Sequence, residues 1–181
     1  MDKGRRLAWG VLLVVLTACG ASERDHDGAA LLVAEQLLDA FYAWDVPTVR
    51  ELTHPGPDAD RLLYYQGWAE AAHYRVIERP PCVRNQSAVV CAVTVTDDFG
   101  SALGYTATDT FTMTVSGDKV SGVAFEGDDP PVFSELFAWL AETRPEVFEG
   151  PCRDMFDGGT TPGDCAREVA RAAAVFADQV R

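Results

Sequence analysis

From Ala29 onward the apolar residues recur at three- and four-residue steps. Val33, Leu37, Ala40, Phe41 and Trp44 fall on one stripe, which predicts an amphipathic helix. Asp45, Val46 and Pro47 end it and cap a short second helix over 47–52. The run His54, Pro55, Gly56, Pro57, Asp58 reads as a loop. A third helix is expected over about 60–72, carrying Leu62, Leu63, Tyr65, Trp68 and Ala72. After His73 the period changes to two. Residues 74–79 predict a first strand, which Pro80 and Pro81 break or bulge, and over 89–96 Val89, Cys91, Val93 and Val95 share a strand face. Residues 99–102, with Gly100, read as a turn region. The clearest strand is expected over 103–115: Leu103, Tyr105, Ala107, Asp109, Phe111, Met113 and Val115 alternate with Thr106, Thr108, Thr110, Thr112 and Thr114. Such alternation means one buried face and one threonine-covered face. Ser116 to Lys119 make a hairpin turn, and 120–125 is the return strand.

Beyond Gly127 the pattern is helical again. Asp129 before Pro130 and Pro131 reads as an N-cap opening a helix over 131–142, with Val132, Phe133, Leu136, Phe137 and Leu140 on its apolar side and Pro145 as its stop. A loop between Cys152 and Cys165 leads to a last helix over 162–179 with Val169, Ala172 and Phe176 on a modest stripe. These two helices are expected to cover an opening or edge of the sheet and so to restrict access to an interior pocket. Helices followed by hairpin-linked antiparallel strands predict an α+β domain. N-terminal helices pack on a curved, mostly antiparallel sheet, and two extra helices follow at the C-terminus.

The N-terminus carries a different signal. Lys3, Arg5 and Arg6 precede an apolar stretch over 7–16, followed by Thr17, Ala18 and Cys19. Ten helical residues rise about 15 Å, half a bilayer core, so the stretch reads as an export signal and not a membrane span. Leu16, Thr17, Ala18 and Cys19 resemble the lipobox of bacterial lipoproteins. That resemblance implies removal of residues 1–18, a diacylglyceryl thioether on Cys19 and N-acylation of the same residue. Two or three acyl chains exceed the two-signal requirement for stable anchoring. The expected location is the bacterial cell envelope, lipid-anchored to a membrane on its extracytoplasmic side. Residues 19–28 read as the lipidated cysteine and a polar tether without periodicity.

Of five cysteines, lipid would take Cys19 and leave an even four in an oxidising compartment. Four thiols allow three pairings, and proximity favours Cys82 with Cys91 and Cys152 with Cys165. A tight turn at Gln86 and Ser87 would set Cys82 directly opposite Cys91 across a hairpin, within disulfide range. The spacings are not Cys-x-x-Cys, which argues against zinc. The acidic loop at 154–159 lacks the EF-hand ligand order, so no metal is assigned. The formal charge is −13, and loss of the signal, with a net +2, takes the mature chain to −15 over 163 residues, one domain's length. Such an acidic surface repels phosphate backbones and excludes nucleic acid as a partner. No His-Glu-x-x-His, Gly-x-Ser-x-Gly or phosphate-loop motif occurs, and no cofactor is expected.

The order of elements over 29–128 resembles the nuclear transport factor 2-like superfamily, the cone-shaped fold that includes polyketide cyclases (SnoaL-like) and ketosteroid isomerases. The similarity rests on the helix break at Trp44, Asp45 and Pro47, and on the strand and turn from Asp109 through Phe111 and Met113 to Gly117, Asp118 and Lys119. Residues 129–181 would then be a helical extension on the same domain. The resemblance implies a cavity on the concave side of the sheet. An acid on this strand serves family enzymes as acid/base, which makes Asp109 the catalytic candidate, with Tyr64, Tyr65, Trp68 and Tyr105 as cavity walls or donors and His73 as a second proton carrier. The alternative for Asp109 is an ion pair with Arg75 or Arg50 that pins sheet to helices. The threonine face is either solvated surface or, by the same resemblance, a homodimer face. The expectation is a non-catalytic binding or docking module for a small apolar ligand or protein partner. The alternative is a cyclase, isomerase or dehydratase using Asp109 on a hydrophobic carbonyl substrate.

Overall fold

The computed structural model describes the backbone of residues 19–180 and the side chains of residues 28–179. The export signal at 1–18 and the lipidation at the Cys19 side chain lie outside that range. The chain is α+β, with seven helices and an open five-stranded antiparallel sheet among the described residues.

Helix α1 (Cys19–Tyr42) buries Val33, Leu37, Ala40 and Phe41 on the expected stripe. It begins at Cys19, so the stretch read as an aperiodic tether is helical. Trp44 closes the turn after α1 in a left-handed conformation, φ 61°. Asp45 caps α2 (Val46–Leu52), accepting from Thr48 N at 3.1 Å and from its hydroxyl at 2.7 Å. Helix α3 (Pro57–Ala71) starts at the proline read as loop and buries Leu62, Tyr65 and Trp68. Its Gln66 amide donates to the carbonyls of Ala40 and Phe41 at 3.1 and 3.0 Å, satisfying the end of α1 from a buried position.

Strands β1 (Arg75–Glu78) and β2 (Val83–Asn85) both lie on one edge of β3 (Ala88–Thr96), separated by Pro80 and Pro81, which cannot donate to the ladder. Glu35 of α1 braces this break. It binds Arg79 Nη2 at 2.6 Å and accepts from Cys82 N at 2.6 Å. Gln86 and Ser87 form the expected two-residue turn, and the Cys82–Cys91 disulfide joins residues 4.4 Å apart at Cα.

Two boundaries differ from the sequence reading. Residues read as a turn and strand start form a helix, α4 (Asp98–Leu103), because the Asp97 carboxylate accepts from Gly100 N at 2.6 Å and caps it. Gly104, at φ 80°, ends it. Strand β4 therefore begins at Ala107 and runs to Ser116, and Leu103 and Tyr105 leave its buried face. The remaining alternation holds: Ala107, Asp109, Phe111 and Met113 are buried, while Thr112 and Thr114 are exposed. Strand β5 (Lys119–Gly127) pairs with β4 through a turn at Gly117 and Asp118, with Gly117 at φ 67°.

Helix α5 (Pro131–Thr143) is followed by α6 (Glu146–Glu149), the Cys152–Cys165 disulfide and α7 (Pro162–Val180). The first residue before α5 is Pro130, and Asp129 makes no cap hydrogen bond. Helix α7 packs chiefly on α3 and α4, and its Val169, Ala172 and Phe176 join one hydrophobic cluster with α1, α3 and the sheet.

Candidate functional site

Asp109 interrupts an apolar strand face and is 2% exposed. It pairs across the sheet with Val93 and Gly127, beneath aromatic residues from α1 and α3. The Tyr42 hydroxyl donates to Oδ2 at 2.9 Å and the Tyr65 hydroxyl to Oδ1 at 3.3 Å. Tyr65 and Tyr74 share a further hydroxyl bond of 3.1 Å. Either oxygen can donate in that bond; when Asp109 is ionised and accepts from the Tyr65 hydroxyl, Tyr74 is the donor. Burial pushes the Asp109 carboxyl up to about 7, against the opposing pull of the Tyr42 and Tyr65 hydrogen bonds, with Asp129 and Asp97 adding repulsion. Tyr42, Tyr65 and Tyr74 are all raised, first by burial.

The expected arginine partner is absent among the described residues. Arg75 reaches the Ser101 hydroxyl at 2.9 Å, and Arg50 is exposed on α2. A buried acid satisfied by two phenols, not by a cation, keeps much of its desolvation cost and therefore its raised affinity for a proton.

Beside this cluster lies a cavity of about 580 Å³ between α3, β5, α5 and the disulfide-closed loop. Its wall is aromatic: Tyr65 and Trp68 from α3, Phe125 from β5, Phe133 and Phe137 from α5, and Phe156 from the loop. Its polar lining residues Asp58, Arg61, Asp129 and Ser134 are all exposed, so they form the rim, and the half-buried and buried rings form the floor. Asp109 is not part of the lining. It stands behind Tyr65 and beside Gly127, where a Cβ would lie 3.9 Å from Asp109 Oδ1 and 3.1 Å from Asp129 Oδ2. Asp129 stands at the exposed rim, where partial desolvation and Asp128 raise its carboxyl, and among the described residues no group donates a hydrogen bond to it.

Of the residues singled out from sequence, Tyr65 and Trp68 line the cavity, and Tyr65 also touches Asp109. Tyr64 lies outside it, its ring edge-on to Phe156 at 5.2 Å and its buried hydroxyl without a partner. Tyr105, displaced from β4 by the α4 turn, faces Phe133 at 6.3 Å and does not line the cavity; its hydroxyl is likewise buried without a partner. His73 is exposed on the surface, 2.8 Å from Asp98, at φ 55° after α3, and cannot reach the cluster as a proton carrier. Tyr42 and Tyr74 complete the hydrogen-bonded chain instead. Met155 and Phe156 of the cavity wall come from the loop before α7. Of the two C-terminal helices, α7 supplies no lining residue among the described residues, and α5 supplies Phe133 and Phe137. The signal for them was an aromatic pair at i, i+4 on α5, in excess of the Leu136 and Leu140 that fill its buried face.

No group of three or more His, Cys, Asp or Glu side chains among the described residues is placed to hold a metal ion. No described helix is long and apolar enough to cross a membrane. The two disulfides are consistent with an oxidising, extracytoplasmic location. Comparison with protein-family models, with curated proteins and with solved structures gave no match.

Proposed function

We propose that this chain is a bacterial envelope lipoprotein, tethered through Cys19, whose body is a non-catalytic binding module for a small apolar ligand. The observation that carries the reading is the cavity: about 580 Å³, floored by aromatic rings, rimmed by polar groups, with the buried acid Asp109 outside its lining. Its volume falls in the range of small-molecule sites, about 300–1,000 Å³, and its apolar floor with few polar groups is their usual composition. The lipobox and the paired cysteines support the tethered, exported setting. Helices preceding an antiparallel sheet support the cone-fold reading over 29–128.

Asp109 favours a second reading, an enzyme of the cyclase or isomerase type, because its carboxyl titrates near neutrality between two phenols. A general acid or base must come within hydrogen-bond reach of the proton it moves. Tyr65 stands between Asp109 and the cavity, and burial raises that phenol. Binding is therefore the better-supported role. The test is titration with Nile red, a neutral apolar dye: saturation at one dye per chain, abolished by Ser134→Trp at the rim, is expected. Fluorescence that never saturates, or that Ser134→Trp leaves unchanged, would remove the binding reading.

A further inference from the structure

We infer that the apolar ligand of this cavity ends in a cationic nitrogen, held at the rim by Asp129 and Asp58 and over the aromatic wall. The inference rests on the small-ligand reading above and adds the chemistry of the ligand's polar end.

The charges at the rim are unequal. Asp58 and Asp129 face one cation, Arg61, so the lining carries a net formal charge of −1. Asp109 and Asp97 lie behind it, in a chain of net −13. Among the described residues Asp58 Oδ2 accepts one long bond, 3.3 Å, from Val123 N. Asp129, exposed at the rim, accepts no hydrogen bond among the described residues, and partial desolvation and Asp128 both disfavour its charge. A carboxylate without a protein donor is open to a donor or cation brought in by a ligand, whose body also shields the pair from water. The rings of Trp68, Phe133, Phe137 and Phe156 line the cavity and supply apolar contact for the ligand's body, and an aromatic face attracts a cation set over it.

The hydroxyl chain beside the cavity suits a ligand that donates. With Asp109 ionised, Tyr65 donates to it and Tyr74 donates to Tyr65, which leaves the Tyr74 oxygen with free lone pairs. Tyr74 is among the lining residues, and an acceptor there suits a ligand that donates, whether hydroxyl or ammonium. Arg61 is the one cation among the described lining residues and would suit an anionic ligand, and for that reason a carboxylate probe belongs in the test.

The full chain, held in phosphatidylcholine nanodiscs with empty discs subtracted, is titrated calorimetrically at physiological ionic strength, where diffuse attraction to the acidic surface is screened within about 8 Å. The probes share one apolar body: 4-phenylbutylammonium, 4-phenylbutanol and 4-phenylbutyrate. The ammonium is expected to bind one per chain about tenfold more tightly than the alcohol, within the range of cation–π and charge-assisted contacts. Asp129→Asn is expected to remove that preference, and Glu142→Gln, the same charge change at an exposed site on α5, to leave it intact. Equal or tighter binding of the alcohol or the carboxylate overturns the cationic assignment and leaves the small-ligand reading standing. A preference that survives Asp129→Asn also overturns it, by placing the attraction outside the rim. Failure of all three probes to saturate at one per chain overturns both.

Discussion

The Tyr65 hydroxyl donates to Asp109 Oδ1 at 3.3 Å while its ring forms part of the cavity wall, so one side chain joins a buried acid to the space where a ligand would lie. The ring is tied to its surroundings on several sides, with Phe125 at 3.8 Å, Phe41 at 5.8 Å and Phe156 at 5.7 Å between centroids. Asp109 thus fixes the orientation of a wall residue.

The same burial sets a pH dependence. Asp109 is raised to about 7 in the fold, above its unfolded value, so the native state holds a proton that the unfolded chain gives up. Its contribution to stability is present below about pH 4 and is lost as pH rises through about 7. Asp97, raised to about 6, acts with the same sign over a narrower window. Asp109→Asn keeps a neutral group beside Tyr42 and Tyr65, and is expected to flatten the fall in stability between about pH 4 and 7 by an amount on the order of a few kcal/mol. Urea titrations at several pH values check this. Parallel wild-type and Asn curves would show that Asp109 is already charged in the fold.

The two disulfides have separable roles. Each closes a short loop, with partners 9 and 13 residues apart, and each is expected to contribute roughly 3 kcal/mol in the chain-entropy model. Only Cys152–Cys165 closes the loop that carries Met155 and Phe156 into the cavity wall. The Cys152→Ala/Cys165→Ala double variant should lose thermal stability and Nile red affinity together. Cys82→Ala/Cys91→Ala, at the far edge of the sheet, should lose stability alone. Equal losses of affinity in the two variants would mean that the loop has no particular part in binding.

The sheet was legible because its signals are local. Threonine alternation from Thr108 to Thr114, the turn at Gln86 and Ser87 and the prolines at 80 and 81 each dictate geometry within a few residues. Helix α4 was not, since it depends on one carboxylate, Asp97, folding back on Gly100 N against a sequence that also alternates. Short side-chain caps of that kind compete with strand periodicity and win only in the folded context. At the site, Asp109 was conspicuous as an acid on an apolar face, and Tyr65 and Trp68 followed from the α3 stripe. The rest of the wall was not legible. Phe125, Phe133, Phe137 and Phe156 come from three segments, and their convergence depends on how α5 and the disulfide-closed loop pack against α3 and β5. Periodicity identifies the buried face of a helix, but not which partly buried residues line a cavity and which fill a gap.

Anchoring is tested separately from binding. Cys19→Ala in the producing bacterium should move the protein from the membrane fraction to the soluble one and remove the mass of the acyl groups. Unchanged fractionation together with unchanged mass would contradict lipidation at Cys19.

Native mass spectrometry of the exported protein, compared with its Ser134→Trp variant, tests small-ligand carriage most directly. The wild-type chain should retain a small molecule at one per chain, and the blocked variant, equally folded, should be empty. A wild-type chain that flies as an empty species, indistinguishable from Ser134→Trp under every gentle ionisation condition, would contradict it.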